Sequence, residues 1–237
     1  MKRKIKNVGK KNTIKNVFLT LCVVLTAVLF IPGVHTQAAS RKSQAMKAYA
    51  SFLSKHPSKY KKAGNAFYNA AFSMEDKSYI DEFFLYDMDK NGVPELFTCT
   101  YVNFRWEIIR VYTWKNHKVV LCNFSDGTEA VFNNCHTANG SYNFNICKKN
   151  HIHNVFTGGM ENSTKIYKGK KGKLIEILTF REMHMLDKTD ATKNGKRITT
   201  AKYYSYTKGC TYKNLTWYKN NKKDRAKLKN GKSKINK

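Results

Sequence analysis

The sequence is short of acidic residues and lacks the common motifs of hydrolytic and nucleotide-dependent enzymes. It contains 16 Asp and Glu residues against 44 Lys and Arg residues. No G-x-S-x-G, H-E-x-x-H or Walker loop occurs, and these motifs mark serine hydrolases, zinc proteases and P-loop proteins. A glycosidase with paired carboxylates remains an alternative, because the separation of its carboxylates is not visible in a sequence. The sequence therefore predicts no catalytic residues and favours a non-catalytic protein.

The main apolar run is short for a membrane span. It extends from Val17 to Ile31, which is the length of a signal-peptide core. Seven basic residues and no acidic residue precede the run, Pro32-Gly33 ends it, and small residues follow at 38–40. These features predict a signal peptide over residues 1–39 and a secreted or cell-envelope protein with no transmembrane segment after cleavage. An uncleaved N-terminal anchor is the alternative.

The sequence also lacks a C-x-x-C pair, the spacing found in zinc ribbons and thioredoxin-type redox sites. The segment after residue 39 contains five cysteines, which are Cys99, Cys122, Cys135, Cys147 and Cys210. An odd number leaves at least one cysteine unpaired in a monomer. Export permits disulfides, but an anaerobic or Gram-positive cell envelope does not require them. The pairing of these cysteines therefore stays open.

The positive charge is the most conspicuous feature that is present. Without residues 1–39 the chain keeps 37 basic and 16 acidic residues, which gives a net charge near +21. Such a charge attracts polyanions over long distances. It indicates anionic cell-wall polymers or polysaccharide as candidate partners, and no motif points to a specific nucleic acid. The alternative is a solvated surface that keeps the protein soluble.

Hydrophobic periodicity predicts an α+β fold. Residues 43–55 form an amphipathic helical pattern that ends at His56-Pro57, with apolar residues Ala45, Met46, Tyr49, Phe52 and Leu53 on one face. Residues 58–78 are ambiguous and contain a candidate second short helix. From Tyr79 onward, short apolar segments between turn signals predict a mainly antiparallel, curled β-sheet or open barrel. We expect the N-terminal helix or helices to pack on this sheet.

Turn residues divide the predicted sheet into hairpins. Lys115-Asn116-His117, Lys170-Lys171-Gly172 and Asn194-Gly195 each lie between apolar or β-branched runs. The last of these turns predicts a strand over residues 197–206. The segment Phe83 to Tyr86 is apolar on both faces, which predicts a central strand.

The C-terminal part of the chain is rich in lysine. Thr211 is a candidate cap of a short C-terminal helix, with Leu215, Tyr218 and Leu228 as its apolar stripe. The sequence predicts a single α+β domain over residues 40–229. Residues 230–237 are predicted to form a basic disordered tail, because they have little apolar surface to bury.

One polar loop after the central strand has the pattern of a calcium-binding loop. It reads D-x-D-x-N-G-x-x-E, and a tightly wound loop directs alternate side chains at one centre. Ca²⁺ takes six to eight oxygen ligands at about 2.3–2.6 Å, and Gly92 permits the sharp turn. The pattern predicts a weak, structural Ca²⁺ site with ligands from Asp87, Asp89, Asn91, the carbonyl of Val93, and Glu95. The alternative is a metal-free turn in which Asp and Asn side chains accept backbone N–H bonds.

The loop resembles the D-x-D-x-[DN]-G calcium loops of dockerins and FG-GAP repeats. The longer string D-x-D-x-N-G-x-P-E-L, from Asp87 to Leu96, resembles a group of poorly characterised secreted proteins of Gram-positive bacteria. That resemblance implies a strand, this loop, a second strand, and hairpins with lysine-rich turns. The loop differs from an EF-hand because Glu95 stands at its ninth position and no glutamate stands at its twelfth. It differs from FG-GAP propellers because the chain contains one copy.

Histidines and cysteines supply two further candidate groups. His151-x-His153 places two imidazoles on one strand face, and His136 lies near Cys135 and Cys147 in sequence. Imidazoles bind transition metals. No third ligand is evident, so we interpret the pair as surface histidines. Cys135 with His136, or Cys147 with His151, has the residue types of a nucleophile and its base. Neighbouring strand residues point to opposite faces and no catalytic-cysteine signature surrounds them, so a cysteine hydrolase is disfavoured.

Overall fold

The computed structural model describes residues 32–58, 78–103, 106–138, 140–147 and 149–236. The chain divides into two compact units, residues 1–40 and residues 41–237. Most of the predicted signal peptide, and nearly all of the ambiguous segment 58–78, lies outside the described residues. None of the described helices is both long enough and apolar enough to cross a membrane.

Helix α1 (Pro32–Lys55) precedes the β-structure and begins eleven residues before the segment predicted to be helical. Its buried residues follow helical spacing and are Ala45, Met46, Tyr49, Ala50 and Leu53. The helix ends just before Pro57, which has no N–H to continue the ladder. The buried side chain of Asn220 donates to the carbonyls of Leu53 (3.2 Å) and His56 (2.6 Å), so carbonyls left open at the helix end are satisfied by the C-terminal part of the chain.

The remainder of the described chain is mostly β-structure. Fourteen strands belong to one sheet. They are β1 (Glu82–Tyr86), β2 (Glu95–Asn103), β3 (Trp106–Lys115), β4 (Lys118–Leu121), β5 (Asn123–Phe124), β6 (Val131–Thr137), β7 (Gly140–Cys147), β8 (His151–Gly158), β9 (Glu161–Lys170), β10 (Lys173–Met183), β11 (Lys188–Lys193), β12 (Lys196–Ile198), β13 (Tyr218–Lys219) and β14 (Ile235–Asn236). A 3₁₀ turn (His184–Leu186), α2 (Thr200–Thr207) and α3 (Lys222–Lys229) complete the elements.

The strand order is β12-β11-β10-β9-β8-β7-β6-β3-β2-β1-β13. Neighbours along this path are antiparallel. Strand β4 pairs with β3, and the following β5 pairs in parallel with the start of β10. Because β5 directly follows β4, its pairing with β10 brings the end of the path back to the β3–β4 hairpin. The path, which runs from β3 through β6, β7, β8 and β9 to β10, thereby encloses a core.

This enclosed core, here called the ring core, is rich in aromatic residues. Its members are Phe84, Tyr86, Met88, Phe97, Ile109, Val111, Cys122, Ala130, Phe132, Phe144, Ile146, Ile152, Tyr167 and Leu174. A second, helix-side core joins α1 to the other face of the first strands and includes Phe83, Leu85 and Leu96. Successive residues of β1 thus enter different cores, which explains why Phe83 to Tyr86 is apolar on both faces.

The prediction of an α+β fold, with one or more N-terminal helices on a curled sheet or open barrel and one short C-terminal helix, is wrong. The described residues form a mainly β protein with one 24-residue helix and two eight-residue helices. Helices are few because tight turns join many strands directly. Both turn residues have positive φ at Asn116-His117, Lys171-Gly172 and Asn194-Gly195. Such two-residue turns match the twist of a hairpin and leave no segment for a connecting helix.

The strand predicted over residues 197–206 is also wrong, because β12 ends at Ile198 and α2 follows. The Thr199 side chain accepts a hydrogen bond from the N–H of Lys202 at 3.2 Å, which is an N-cap. Tyr203 of α2 then packs on Phe180 with ring centroids 4.7 Å apart. A local cap and one buried aromatic contact therefore override the β-propensity of this Thr- and Tyr-rich segment.

The C-terminal segment differs from its sequence-based description as well. The last helix is α3, capped by Asn221 rather than by Thr211, and Tyr218 lies in β13. Within residues 230–236, predicted as a disordered tail, β14 pairs in parallel with β1. Asn236 is 4 % exposed and its side chain donates to the carbonyl of Leu85 at 3.2 Å.

Candidate metal site

The candidate calcium loop connects β1 to β2 and closes their hairpin, whose last paired residues are Tyr86 and Glu95. Two apolar side chains hold the loop in place. Met88 is 2 % exposed and belongs to the ring core, while Val93 is 6 % exposed and belongs to the helix-side core. The loop is therefore anchored on both faces of the sheet, and its polar residues lie between these anchors.

Side-chain oxygens of the loop accept backbone N–H groups of the same loop. The two carboxylate oxygens of Asp87 accept from Asn91 (3.1 Å) and Gly92 (3.0 Å). The side-chain oxygen of Asn91 accepts from Val93 at 2.8 Å. Gly92 has a φ of 84°, which glycine adopts without strain. These are the hydrogen bonds expected for a metal-free turn, in which Asp and Asn side chains accept backbone N–H groups. The same bonds hold the Asp87 carboxylate in a fixed position.

Three carboxylates of the loop converge. One oxygen atom each from Asp87, Asp89 and Glu95 lies within 4.8 Å of the others. Two ligands on opposite sides of one Ca²⁺ ion are at most about 5 Å apart, given bonds of about 2.3–2.6 Å. The three predicted carboxylate ligands thus lie at distances that a single ion can bridge. Of the other two predicted ligands, the Asn91 side-chain oxygen accepts the Val93 N–H at 2.8 Å, and Val93, whose carbonyl is the predicted ligand atom, buries its side chain in the helix-side core.

Glu95 is the most unusual of the three acids. It is 1 % exposed, and one of its oxygens accepts the N–H of Met88 at 2.9 Å. Burial, reinforced by the charges of Asp89 and Asp87, raises the pKa of Glu95 to about 8, against the opposing effect of the Met88 hydrogen bond. Burial also raises the pKa of Asp87. In the absence of a cation, the raised pKa favours the protonated form of Glu95 at neutral pH.

The loop touches two distant parts of the chain. The hydroxyl of Tyr49 in α1 donates to the Pro94 carbonyl at 2.9 Å, and burial followed by the charge of Glu95 raises the pKa of Tyr49. On the other side, the N–H of Lys171 in the β9–β10 turn donates to Asp89 at 3.2 Å. Gly169 in β9 lies so close to the loop that a Cβ there would be 2.5 Å from the Met88 Cγ.

Sequence reasoning missed both of these partners. The sequence predicts the lysine-rich β9–β10 turn at Lys170-Lys171-Gly172. No sequence pattern, however, shows that this turn meets a loop 82 residues earlier. The missed signal is Gly169, a glycine in a strand, which marks a site of close approach between backbone and neighbour.

Comparison of the chain with protein-family models, curated proteins and solved structures finds no match. The interpretation of this loop therefore rests on its geometry and chemistry.

The remaining candidate residues separate into two groups. Cys135 is buried and its neighbour His136 is exposed, so they lie on opposite faces of β6 as expected for a strand. His153 is 4 % exposed, which contradicts the interpretation of His151-x-His153 as surface histidines. Burial, with smaller effects of His151 and Lys149, lowers the pKa of His153 to about 4. Its Nε2 lies 3.6 Å from the Sγ of Cys210, a residue that the sequence did not associate with it.

Proposed function

We propose that this is an exported, non-catalytic protein of the cell surface or extracellular space, in which Ca²⁺ at the loop of residues 87–95 braces the β-structure. The observation that carries the proposal is the convergence of the Asp87, Asp89 and Glu95 carboxylates within 4.8 Å. Export is supported by the signal-peptide pattern of residues 1–39.

The position of the loop explains why a cation would stabilise the fold. Asp87 and Asp89 follow β1, Glu95 begins β2, and Asp89 also accepts from the β9–β10 turn. A cation at these carboxylates offsets their mutual repulsion and holds the two hairpins together. Asp87, Asp89 and Glu95 would be the protein ligands, and water would complete the six to eight oxygens that Ca²⁺ requires.

Few carboxylates and a short loop indicate an affinity like that of extracellular modules, with a Kd of about 10⁻⁴–10⁻³ M. At ten times this Kd, bound Ca²⁺ adds roughly 1.4 kcal/mol to the free energy of unfolding. For a unit of this size we expect the Tm to rise by about 3–6 °C. Mg²⁺ substitutes poorly, because it demands a tighter octahedral shell and gives up water reluctantly.

Thermal unfolding tests the proposal. The Tm is measured in chelator and in Ca²⁺ up to about 10 mM, which spans the expected Kd range. The double variant Asp87→Asn, Asp89→Asn keeps the oxygen acceptors of the turn but removes two charges, so it should lose the Ca²⁺-dependent increase. Asp126→Asn is the matched control, because Asp126 accepts the Thr128 N–H at 2.9 Å in another exposed turn and has no place in the carboxylate group. If the wild-type Tm does not change with Ca²⁺, the loop binds no ion that stabilises the fold and is only a hydrogen-bonded turn.

A second candidate function is a cationic binding module for anionic cell-wall polymers or polysaccharide. The favouring observation is a group of exposed lysines within one short segment around α3, here called the α3 lysine group. Its members are Lys222, Lys223, Lys229, Lys232 and Lys234. Within residues 222–234 the single acidic residue is Asp224, which pairs with Lys227 at 2.8 Å. The positive charge of the group is therefore not neutralised locally and attracts polyanions.

Substitution of the α3 lysine group by glutamine tests this second function. We expect weaker binding to an anionic wall polymer such as teichoic acid, and wild-type binding that falls steeply with added salt. The matched control replaces five exposed hairpin-turn lysines, namely Lys115, Lys118, Lys170, Lys173 and Lys196. Equal losses in both five-site variants would show that net charge, rather than the α3 lysine group, drives binding.

A further inference from the structure

A second group of metal-type side chains lies between β7, β8 and the segment after α2. Cys147 ends β7, His153 lies in β8, and Cys210 follows α2. One ligand atom from each, two sulfurs and an imidazole nitrogen, lies within 4.8 Å of the others. The two sulfurs are joined as a disulfide in the structure. The group therefore contains both a redox-active pair and an imidazole beside it.

Backbone contacts hold these three residues together independently of the disulfide. Tyr212 forms a β-bridge with Cys147, and the N–H of Lys213 donates to the Ile146 carbonyl at 2.8 Å. The Tyr212 ring also packs edge-on against the His153 ring, with centroids 5.5 Å apart. The segment after α2 is thus fixed to β7 by the main chain. These main-chain contacts do not involve the sulfur atoms, so we expect them to keep both thiols next to the imidazole after reduction.

The atom types, and the distance between the sulfur of Cys210 and the nitrogen of His153, match a zinc site. In a tetrahedral Zn²⁺ site, Zn–S bonds of about 2.3 Å and Zn–N bonds of about 2.0–2.1 Å place sulfur and nitrogen about 3.6 Å apart. The His153 Nε2 and the Cys210 Sγ are 3.6 Å apart. Sulfur and imidazole ligands select Zn²⁺ over Ca²⁺ and Mg²⁺, which prefer oxygen. Cys210 is partly exposed and provides access from solvent, whereas Cys147 and His153 are buried.

We propose that Cys147, Cys210 and His153 form a redox-controlled Zn²⁺ site, which is closed by the disulfide and opened by its reduction. A thiol reductant transfers two electrons and becomes a disulfide itself, while the bond between Cys147 and Cys210 breaks and yields two thiols. Zn²⁺ displaces the two thiol protons and forms two Zn–S bonds and one bond to the His153 Nε2. Oxidation of the two thiolates by a disulfide reverses these steps and releases the ion.

The fourth coordination position is left to water. Over the described ranges, the group contains no fourth His, Cys, Asp or Glu that lies close enough to bind the same ion. Three protein ligands with an open position distinguish this arrangement from a closed structural zinc site with four protein ligands. The site also differs from the loop of residues 87–95 in its ligand chemistry, so each responds to a different metal.

Metal binding by the full chain in its two redox states tests the proposal. The protein is reduced with a phosphine, freed of reductant, and titrated with Zn²⁺ and with Co²⁺ as a spectroscopic probe. We expect about one Zn²⁺ per reduced chain and none per oxidised chain. Co²⁺ should give a thiolate charge-transfer band and the intense visible bands of tetrahedral coordination. Equal Zn²⁺ binding by oxidised and reduced protein would overturn the proposal.

Variants identify the ligands. Cys147→Ser, Cys210→Ser and His153→Ala should each weaken Zn²⁺ binding about 100-fold or more, because each removes one of three ligands. His151→Ala and Cys135→Ser are matched controls, since these residues are outside the group, and both should keep wild-type affinity. Loss of affinity in the controls but not in the ligand variants contradicts the assignment.

An alkylation experiment on the reduced wild-type chain avoids any variant that fails to fold. Zn²⁺ should slow the modification of Cys147 and Cys210 by iodoacetamide, as read by peptide mass spectrometry, and a zinc-selective chelator should restore it. Equal modification of both cysteines with and without Zn²⁺ would show that no such site forms.

Discussion

Among single residues, Glu95 couples the loop most directly to pH. Its side chain is nearly fully buried, and its pKa of about 8 lies above the ordinary value of 4.5. The folded chain therefore keeps a proton on Glu95 in a pH range where the unfolded chain has lost it. The stability that this proton contributes is fully present below pH 4.5 and is lost as the pH rises towards 8.

We expect the Ca²⁺-free wild-type chain to lose stability relative to Glu95→Gln as the pH rises from 5 to 8. The limiting slope is about 1.4 kcal/mol per pH unit. Glutamine stays neutral and keeps an oxygen for the Met88 N–H, so the difference in Tm between the two proteins isolates this one ionisation. Parallel Tm profiles would refute a buried, protonated Glu95.

Bound calcium should cancel this loss of stability, because binding requires the ionised carboxylate and the unfolded chain also carries it above pH 4.5. Below pH 8 a proton competes for Glu95, so we expect the apparent Ca²⁺ affinity to rise by up to about tenfold per pH unit. The measurement is the Ca²⁺-dependent Tm increase at pH 6, 7 and 8. A pH-independent increase would place Glu95 outside the ligand set.

At the scale of elements, the loop and the β9–β10 hairpin act as one structural unit. Gly169 of β9 faces Met88, whose side chain would be 2.5 Å from a Cβ at that position. Gly169→Ala should therefore lower the free energy of unfolding by about 1–3 kcal/mol through overpacking, and it should reduce the Ca²⁺-dependent Tm increase by displacing the loop.

Gly159→Ala is the matched control, because nothing lies within 4 Å of a Cβ there. Its free energy of unfolding should stay within about 0.5 kcal/mol of the wild-type value. Chemical or thermal unfolding distinguishes the two variants. If Gly169→Ala behaves like Gly159→Ala, the loop does not pack tightly against β9.

The elements also differ in how well local patterns predict them. Two-residue turns such as Lys171-Gly172 are visible in the sequence, because positive φ favours Gly and Asn at adjacent positions. The residues of helix α2 have strand propensity, but the N-cap at Thr199 and the contact between Tyr203 and Phe180 outweigh it. Secondary-structure propensity therefore does not predict a short element that gains most of its stability from one neighbouring side chain.

For the molecule as a whole, the C-terminal segment adds strand β14 to the sheet beside β1. Asn236 of β14 donates to the Leu85 carbonyl at 3.2 Å and accepts the Thr216 N–H at 2.9 Å. Strand β1 pairs with β2 along one edge and with β13 and β14 along the other, although residues 230–237 have the composition of a disordered tail. Burial of a few polar and apolar groups holds a lysine-rich segment in place.

Asn236→Ala should consequently destabilise the fold by about 1–3 kcal/mol, because it leaves buried backbone groups without their partner. For a chain of this size this lowers the Tm by roughly 2–12 °C. Lys234→Ala provides the control, since this side chain is exposed and only its backbone N–H makes the bond to the Tyr218 hydroxyl. An unchanged Tm for Asn236→Ala would support a disordered tail instead.

The sequence by itself determined the local features. The spacing of Asp87, Asp89 and Glu95 around Gly92 specifies a loop whose carboxylates converge, because the bonds that form the loop and hold Glu95 in it span seven residues or fewer. The helical periodicity of residues 43–55 and the hairpin turns are local for the same reason.

The tertiary structure decided the rest. In the folded chain the β9–β10 turn contacts the loop, Cys210 lies beside His153 although 57 positions separate them, and Asn220 binds the end of α1 from 167 positions away. Such contacts depend on which surfaces the whole chain buries. A pattern of neighbouring residues does not specify them, because each partner has an ordinary local sequence and gains its role only when the sheet is assembled.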